Sequence, residues 1–238
     1  MAEPTANDPA LDGFVNMLRD TPAPPGCANP YAIHEEGVDA APDAAEIRAR
    51  QLASYLGRRR DTARLLLIAE APGYQGARFS GIAMTCERTL LGQKDGVPPH
   101  LVLRDGDSGR RTSSAAAARN GPETRGGFSE PTATVVWKEL LRYGLTDAAV
   151  LWNVFPFHPR RQGQPLTNRT PSGKEVAATL HIIESLLATF QGCRLVCIGN
   201  TARDHLGPLR PGVEVIRHPA NGGATLFRDG LRKITAQL

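Results

Sequence analysis

The chain has only four cysteines in 238 residues, Cys27, Cys86, Cys193 and Cys197. None forms a Cys-x-x-Cys pair, a spacing that disfavours a zinc ribbon or an iron–sulfur site. They read as small core residues of a reducing compartment. No apolar run approaches the ~18 residues of a membrane span. The first residues, MAEPTANDPALDG, have neither a basic segment nor an apolar one, so no leader peptide is expected and the location is read as cytoplasmic. Also missing are a Gly-x-Ser-x-Gly elbow, a P-loop and a dinucleotide fingerprint, which sets aside the common α/β hydrolases and nucleotide-binding domains. There is no internal repeat.

What is present is an ordinary globular composition, 41% hydrophobic and 22% charged, with a formal charge of +4. A single domain of this size buries roughly 70% of its unfolded surface and needs no disulfide or metal to fold. The positive excess suits a nucleic-acid partner and equally suits a solvated basic surface.

Four continuous apolar runs stand out: RLLLIA (64–69), AAVLW (148–152), RLVCIG (194–199) and VEVI (213–216). Such runs suit strands buried on both faces of a parallel sheet. Helical periodicity lies between them. Residues 43–60 carry Ile47, Leu52 and Leu56, and residues 173–190 carry Val176, Leu180, Ile183, Leu187 and Phe190, with a capping-box pattern at Ser172 and Glu175. A short helix is expected near Leu11–Leu18. The order predicts one α/β domain over 1–238: a three-layer α/β/α sandwich around a central, mostly parallel four-stranded sheet. Residues 1–42 read as an irregular and helical lead-in, and 104–129 as a mobile loop insertion, either a DNA-backbone contact or a solvated segment.

In open parallel sheets, ligands bind beyond the carboxyl ends of the strands. Glu70-Ala71-Pro72-Gly73 follows the first run, Asn153 the second, Asn200 the third, and Arg217-His218 the fourth. Polar groups from four strand ends therefore converge on one edge, which predicts a pocket.

The same segments resemble the motifs of the uracil-DNA glycosylase superfamily. Glu70-Ala71-Pro72-Gly73 is similar to its first motif, and YQGARFSGIAMTCER (74–88) to the segment that follows it in the family-five enzymes. WNVFPFHP (152–159) with NRTP (168–171) resembles a family-four block. IGNTA (198–202) and RHPANGG (217–223) resemble the last two motifs. The resemblance spans about residues 64–230, in order.

The resemblance implies an enzyme that flips uracil, and other deaminated bases, out of single- or double-stranded DNA and hydrolyses the N-glycosidic bond. It implies a monomer without cofactor or membrane contact. Only Cys27 lies where family four carries its N-terminal cysteine pair, so no cluster and no metal are expected. The insert of the covalent-adduct branch is missing, so no adduct is expected. His218 would donate to the base O2 as negative charge develops there. Asn153 would read the base edge. Water activation falls to Glu87 ahead of Glu70, because Ala71 stands where family one has its aspartate. Ala71, Pro72 and Gly73 would shape the pocket, with room at the C5 edge. Met84 stands at the family's stacking phenylalanine, leaving Phe79 or Tyr74 to stack. Arg78, Arg169, Arg217 and the turn Asn221-Gly222-Gly223 would meet DNA, with Leu226 the candidate wedge. The lack of an acid at Ala71 leaves a second reading: a lesion-binding protein of this fold with weak or no catalysis.

Overall fold

The computed structural model describes residues 8–238. The first seven residues, and with them most of the segment read as lacking a leader, lie outside the described residues. All four predicted strands form, as β2 (Leu65–Ala69), β3 (Ala149–Asn153), β5 (Arg194–Ile198) and β6 (Glu214–Ile216). They make one parallel sheet in the order β3-β2-β5-β6. Every residue of β2 and β3 is buried, as the unbroken apolar runs require. The three-layer α/β fold expected from the sequence is the fold observed.

Helices fill the crossovers. The single turns α3 (Ala77–Ser80) and α4 (Glu87–Leu90), then α5 (Gly121–Gly126) and the longer α6 (Pro131–Arg142), lie between β2 and β3, α7 (Gly173–Ala178) and α8 (Leu180–Thr189) join β3 to β5, and α9 (Asn200–Leu206) joins β5 to β6. The chain moves one way across the sheet from β2 to β3, then back past β2 to β5. Right-handed crossovers in opposite directions lie on opposite faces of the sheet. The reversal leaves a crevice between the ends of β2 and β5, the usual ligand position in such sheets.

The lead-in is more regular than its composition suggests. α1 (Pro9–Asp20) is capped by Asp8, whose carboxylate accepts the N–H groups of Ala10 and Leu11. Cys27–Ala28 (β1) then pairs antiparallel with His158–Pro159 (β4), tying the lead-in to the loop after β3. α2 (Ala44–Arg58) closes the open edge of β3. Leu151 donates its N–H to the Tyr55 hydroxyl at 2.6 Å, and the Ala149 carbonyl accepts from Arg59 Nε at 3.0 Å. These bonds spend the outward-facing groups of an edge strand that would otherwise remain unpaired.

The sequence predicts one helix over 173–190, and the structure breaks it at Thr179. That residue's hydroxyl bonds back to the Val176 carbonyl at 3.1 Å, and its backbone leaves the helical region. The break rotates the apolar face. Ile182, Ile183 and Leu186 are buried, while Leu180 and Leu187 are only partly so. The capping box at Ser172 and Glu175 forms as expected.

Residues 104–129 fold back onto the domain. They include α5 (Gly121–Gly126) and a bridge between Ser113 and Asp39. Three of their arginines meet protein partners: Arg110 meets Asp43, Arg111 the carbonyls of Ser113, Glu123 and Thr124, and Arg119 the carboxylate of Glu123. No helix among the described residues is long and apolar enough to cross a membrane.

Candidate active site

A cavity of about 610 Å³ opens at the carboxyl edge of the sheet. Its wall comes from four places in the chain: Gly73 and Gln75 after β2, Glu130 and Thr132 at the start of α6, Asn168, and the stretch His218–Asn221 after β6. Pro131, Val135 and Pro219 add apolar surface. Of the four strand ends expected to converge, those after β2 and β6 supply this wall, through Gly73 and His218, while Asn153 after β3 and Asn200 after β5 do not line it.

The His218 loop is tightly built. Asn221 and Gly222 take left-handed φ values of 52° and 74°, turning the chain back on itself. At Gly223 a Cβ would sit 2.1 Å from the His218 carbonyl oxygen, so only glycine permits this approach. Ala220 donates its N–H to His218 Nδ1 at 3.1 Å. Nδ1 is therefore the acceptor, and the ring proton lies on Nε2. Burial, helped by the neighbouring Arg217 cation, lowers the His218 pKa. The imidazole is held neutral with a donor N–H, as a hydrogen bond to a developing anion requires.

Asn153 ends β3 in register with Ala69. It is buried, and its amide makes no hydrogen bond to another described side chain or backbone group. It does not line the cavity wall. Asn168, which the sequence reading passed over in favour of Arg169, does. Its Oδ1 accepts the Tyr74 N–H at 3.0 Å and faces His158 Nε2 at 3.3 Å. His158 Nε2 also meets the Thr167 carbonyl at 2.9 Å, so that nitrogen carries the proton. Both partners of Asn168 Oδ1 are donors, which leaves its Nδ2 as a free donor beside Gly73.

Several expected site residues lie elsewhere. Glu87 is fully buried and saturated. Its Oε1 accepts the N–H groups of Thr112 and Ser113 at 2.7 and 2.8 Å, and its Oε2 accepts the Ser113 hydroxyl at 2.5 Å and the Phe128 N–H at 3.1 Å. With four donors upon it, the carboxylate pins the 104–129 segment and has no lone pair for water. Glu70 is not part of the cavity wall. Its carbonyl accepts the Phe155 N–H at 3.0 Å.

Phe79 is fully buried and stacks on Phe128 at 4.9 Å, and Met84 sits in the main core, so neither reaches the cavity. Tyr74 is half-buried, edge-on to Phe128, with its hydroxyl taken by Arg119. Ala71 and Pro72 lead into the wall that Gly73 joins.

Arg78 does not face DNA. It is fully buried, paired with Asp39 at 3.0 Å and Glu35 at 3.2 Å, and Asp39 also holds buried Arg48 at 2.8 Å. Arg169 is bound to Glu175 at 2.6 Å. Asn221 lines the cavity and is exposed, Arg217 and Gly222 are exposed outside its wall, and Gly223 is buried.

Glu130 is the residue that sequence reasoning missed altogether. Its Oε2 is sealed from solvent and receives no hydrogen bond. Burial raises its pKa to about 7, against the opposing effect of the Thr132 hydroxyl.

No family model matches this chain, and no curated protein matches it. Among solved structures, the crystal structure of wild-type SMUG2 from Pedobacter heparinus superposes with a TM-score of 0.60 at 15% identity, covering 96% of each chain. The chain therefore shares the fold of that protein over the matched length.

Proposed function

We propose that this protein is a base-excision glycosylase, acting as a monomer on DNA that contains uracil or another deaminated base. One observation carries the reading. A neutral imidazole with a free Nε2–H lines a cavity at the carboxyl edge of a glycosylase-like sheet, inside a stretch that resembles the terminal motif of that superfamily.

The chemistry is consistent with that arrangement. Uracil leaves as an anion while the sugar gains positive character. His218 Nε2–H donates to O2, where charge accumulates. Asn168 Nδ2 is a donor with its own oxygen already occupied, which suits the O4 acceptor of uracil and opposes the exocyclic amine of cytosine. Asn153 stands outside the cavity wall, so the reading of the base edge is assigned to Asn168. The shared fold supports a glycosylase scaffold, and DNA as substrate follows from the reading.

The test is direct. The protein is incubated with a single-stranded oligonucleotide containing one uracil, then treated with alkali. Strand scission at the uracil is the expected result. Retention of the oligonucleotide without scission would replace this reading with lesion binding alone. A parallel panel of hypoxanthine, xanthine and thymine mispairs sets the range of bases.

A further inference from the structure

Glu130 occupies the position before α6, where a carboxylate commonly caps the first turn. It does not do so here. Its side chain makes no cap hydrogen bond and turns instead toward the loop after β2. Gly76 makes room for it, since a Cβ at that position would lie 2.3 Å from Glu130 Oε2. A buried acceptor with no partner costs free energy that simple fold stability would select against. The carboxylate is thus neither a helix cap nor half of an ion pair. It is in the wall of the same cavity as His218.

We propose that Glu130 is the general base of the reaction: its carboxylate takes a proton from the water that attacks C1′ of the flipped nucleotide. The inference rests on the glycosylase reading. The water oxygen bonds to C1′ as the bond from C1′ to the base nitrogen breaks. The bonding pair leaves with the base as its anion, which His218 Nε2–H stabilises. The water's proton passes to Glu130, and from there to the departing base or to solvent. No other reactant is consumed.

The role explains the surroundings. Saturated Glu87 cannot accept a proton from water, and Ala71 has no carboxylate. Facing Glu130 are the loop after β2 (Gln75 and Gly76), the first turn of its own helix (Thr132) and the terminal loop with His218. His218 is the titratable group among these. Burial and the Arg217 cation lower its pKa while burial raises that of Glu130, so its titration falls on the acid side of that of Glu130.

The experiment is single-turnover cleavage of a uracil-containing single-stranded oligonucleotide by the full chain, from pH 5 to 9. Wild-type, E130Q and E130D proteins are compared, with DNA affinity and thermal midpoint measured in parallel. The wild-type rate is expected to rise with pH and level off above about 7. E130Q should be at least ~100-fold slower at pH 8 and lose that inflection, with DNA affinity within about twofold of wild type. E130D should keep an inflection at a displaced pH. If E130Q fails to fold, E130D decides, and a wild-type rate and inflection in that variant overturn the role. E130Q activity within about threefold of wild type, or an unchanged inflection near 7, overturns the role of Glu130 while leaving the glycosylase reading intact. Wild-type protein that releases no base from any substrate overturns both.

Discussion

Ala220 donates its backbone N–H to Nδ1 of His218 at 3.1 Å, and this bond decides which ring nitrogen faces the cavity. A two-residue spacing sets the tautomer, and partial burial keeps the ring uncharged. His218→Ala is expected to lower base release by about 10²- to 10³-fold, the usual loss for one preorganised donor. DNA affinity should hardly change, because a neutral ring makes little contribution to phosphate binding. The pair of measurements is single-turnover cleavage and anisotropy on the same oligonucleotide. Equal loss in both would make His218 a structural residue of the 217–223 turn.

Glu87 is expected to matter for folding rather than catalysis. Glu87→Ala strands three buried N–H donors and one hydroxyl. Each unsatisfied group costs about 1–3 kcal/mol before relaxation and entering water reduce the total. A net loss of about 3–5 kcal/mol corresponds to a fall in thermal midpoint of roughly 6–20 °C for a chain this long. Glu87→Gln should also destabilise, because its amide donor would face other donors. Calorimetry gives the stability, and a low-temperature assay gives the activity of the folded fraction. A normal midpoint together with lost activity would return Glu87 to the site.

The sheet was legible in the sequence because RLLLIA, AAVLW and RLVCIG are apolar without alternation, a pattern that a strand between two helical layers requires. The pocket edge was legible for a related reason. Parallel topology fixes which end of every strand faces ligand, so the residues after each run could be read directly. Individual roles were less legible. Glu87 and Phe79 stand in a stretch that resembles a motif, but whether a carboxylate meets water or four protein donors depends on where residues 112–128 return. Arg78 looked like a free cation until Asp39 and Glu35 were placed beside it. Glu130 left no local signal, since Ser-Glu-Pro reads as an ordinary helix start. Its meaning comes from Gly76, a neighbour only in space. Thr179 was readable in principle, as a β-branched hydroxyl residue able to bond back within an otherwise periodic run.

Leu226 lies just inside α10 (Ala224–Thr235), which follows the His218 loop, and is 60% exposed. Nothing in the fold uses its side chain, so Leu226→Ala should leave the thermal midpoint within a degree or two. A wedge would act only where a base stack must be opened. Extruding a base from a duplex costs a few kcal/mol, and a wedge offsets part of that cost. Cleavage of uracil in duplex DNA should therefore fall about tenfold, with single-stranded cleavage unchanged. Equal effects on the two substrates would remove Leu226 from this role.

His158 should make the fold sensitive to acid. It is fully buried in β4, Nε2 is engaged, Nδ1 has no partner, and burial followed by the nearby Arg78 cation pushes its pKa from 6.5 down to about 4. The folded state therefore resists a proton that the unfolded chain accepts. The folded state's advantage is complete above pH 6.5 and is lost as pH falls from 6.5 toward 4, by at most about 3 kcal/mol. Glu130 works in the opposite direction. Its pKa is raised from 4.5 to about 7, so its effect destabilises the fold as pH rises through that window. Urea midpoints from pH 4 to 8 separate the two. His158→Gln should lose the acid-side decline, while Glu130→Gln should gain stability most at pH 8, with the gain vanishing near pH 4.5. If neither substitution changes the slope of stability against pH, both groups titrate with their ordinary values and the buried environments assigned to them are wrong.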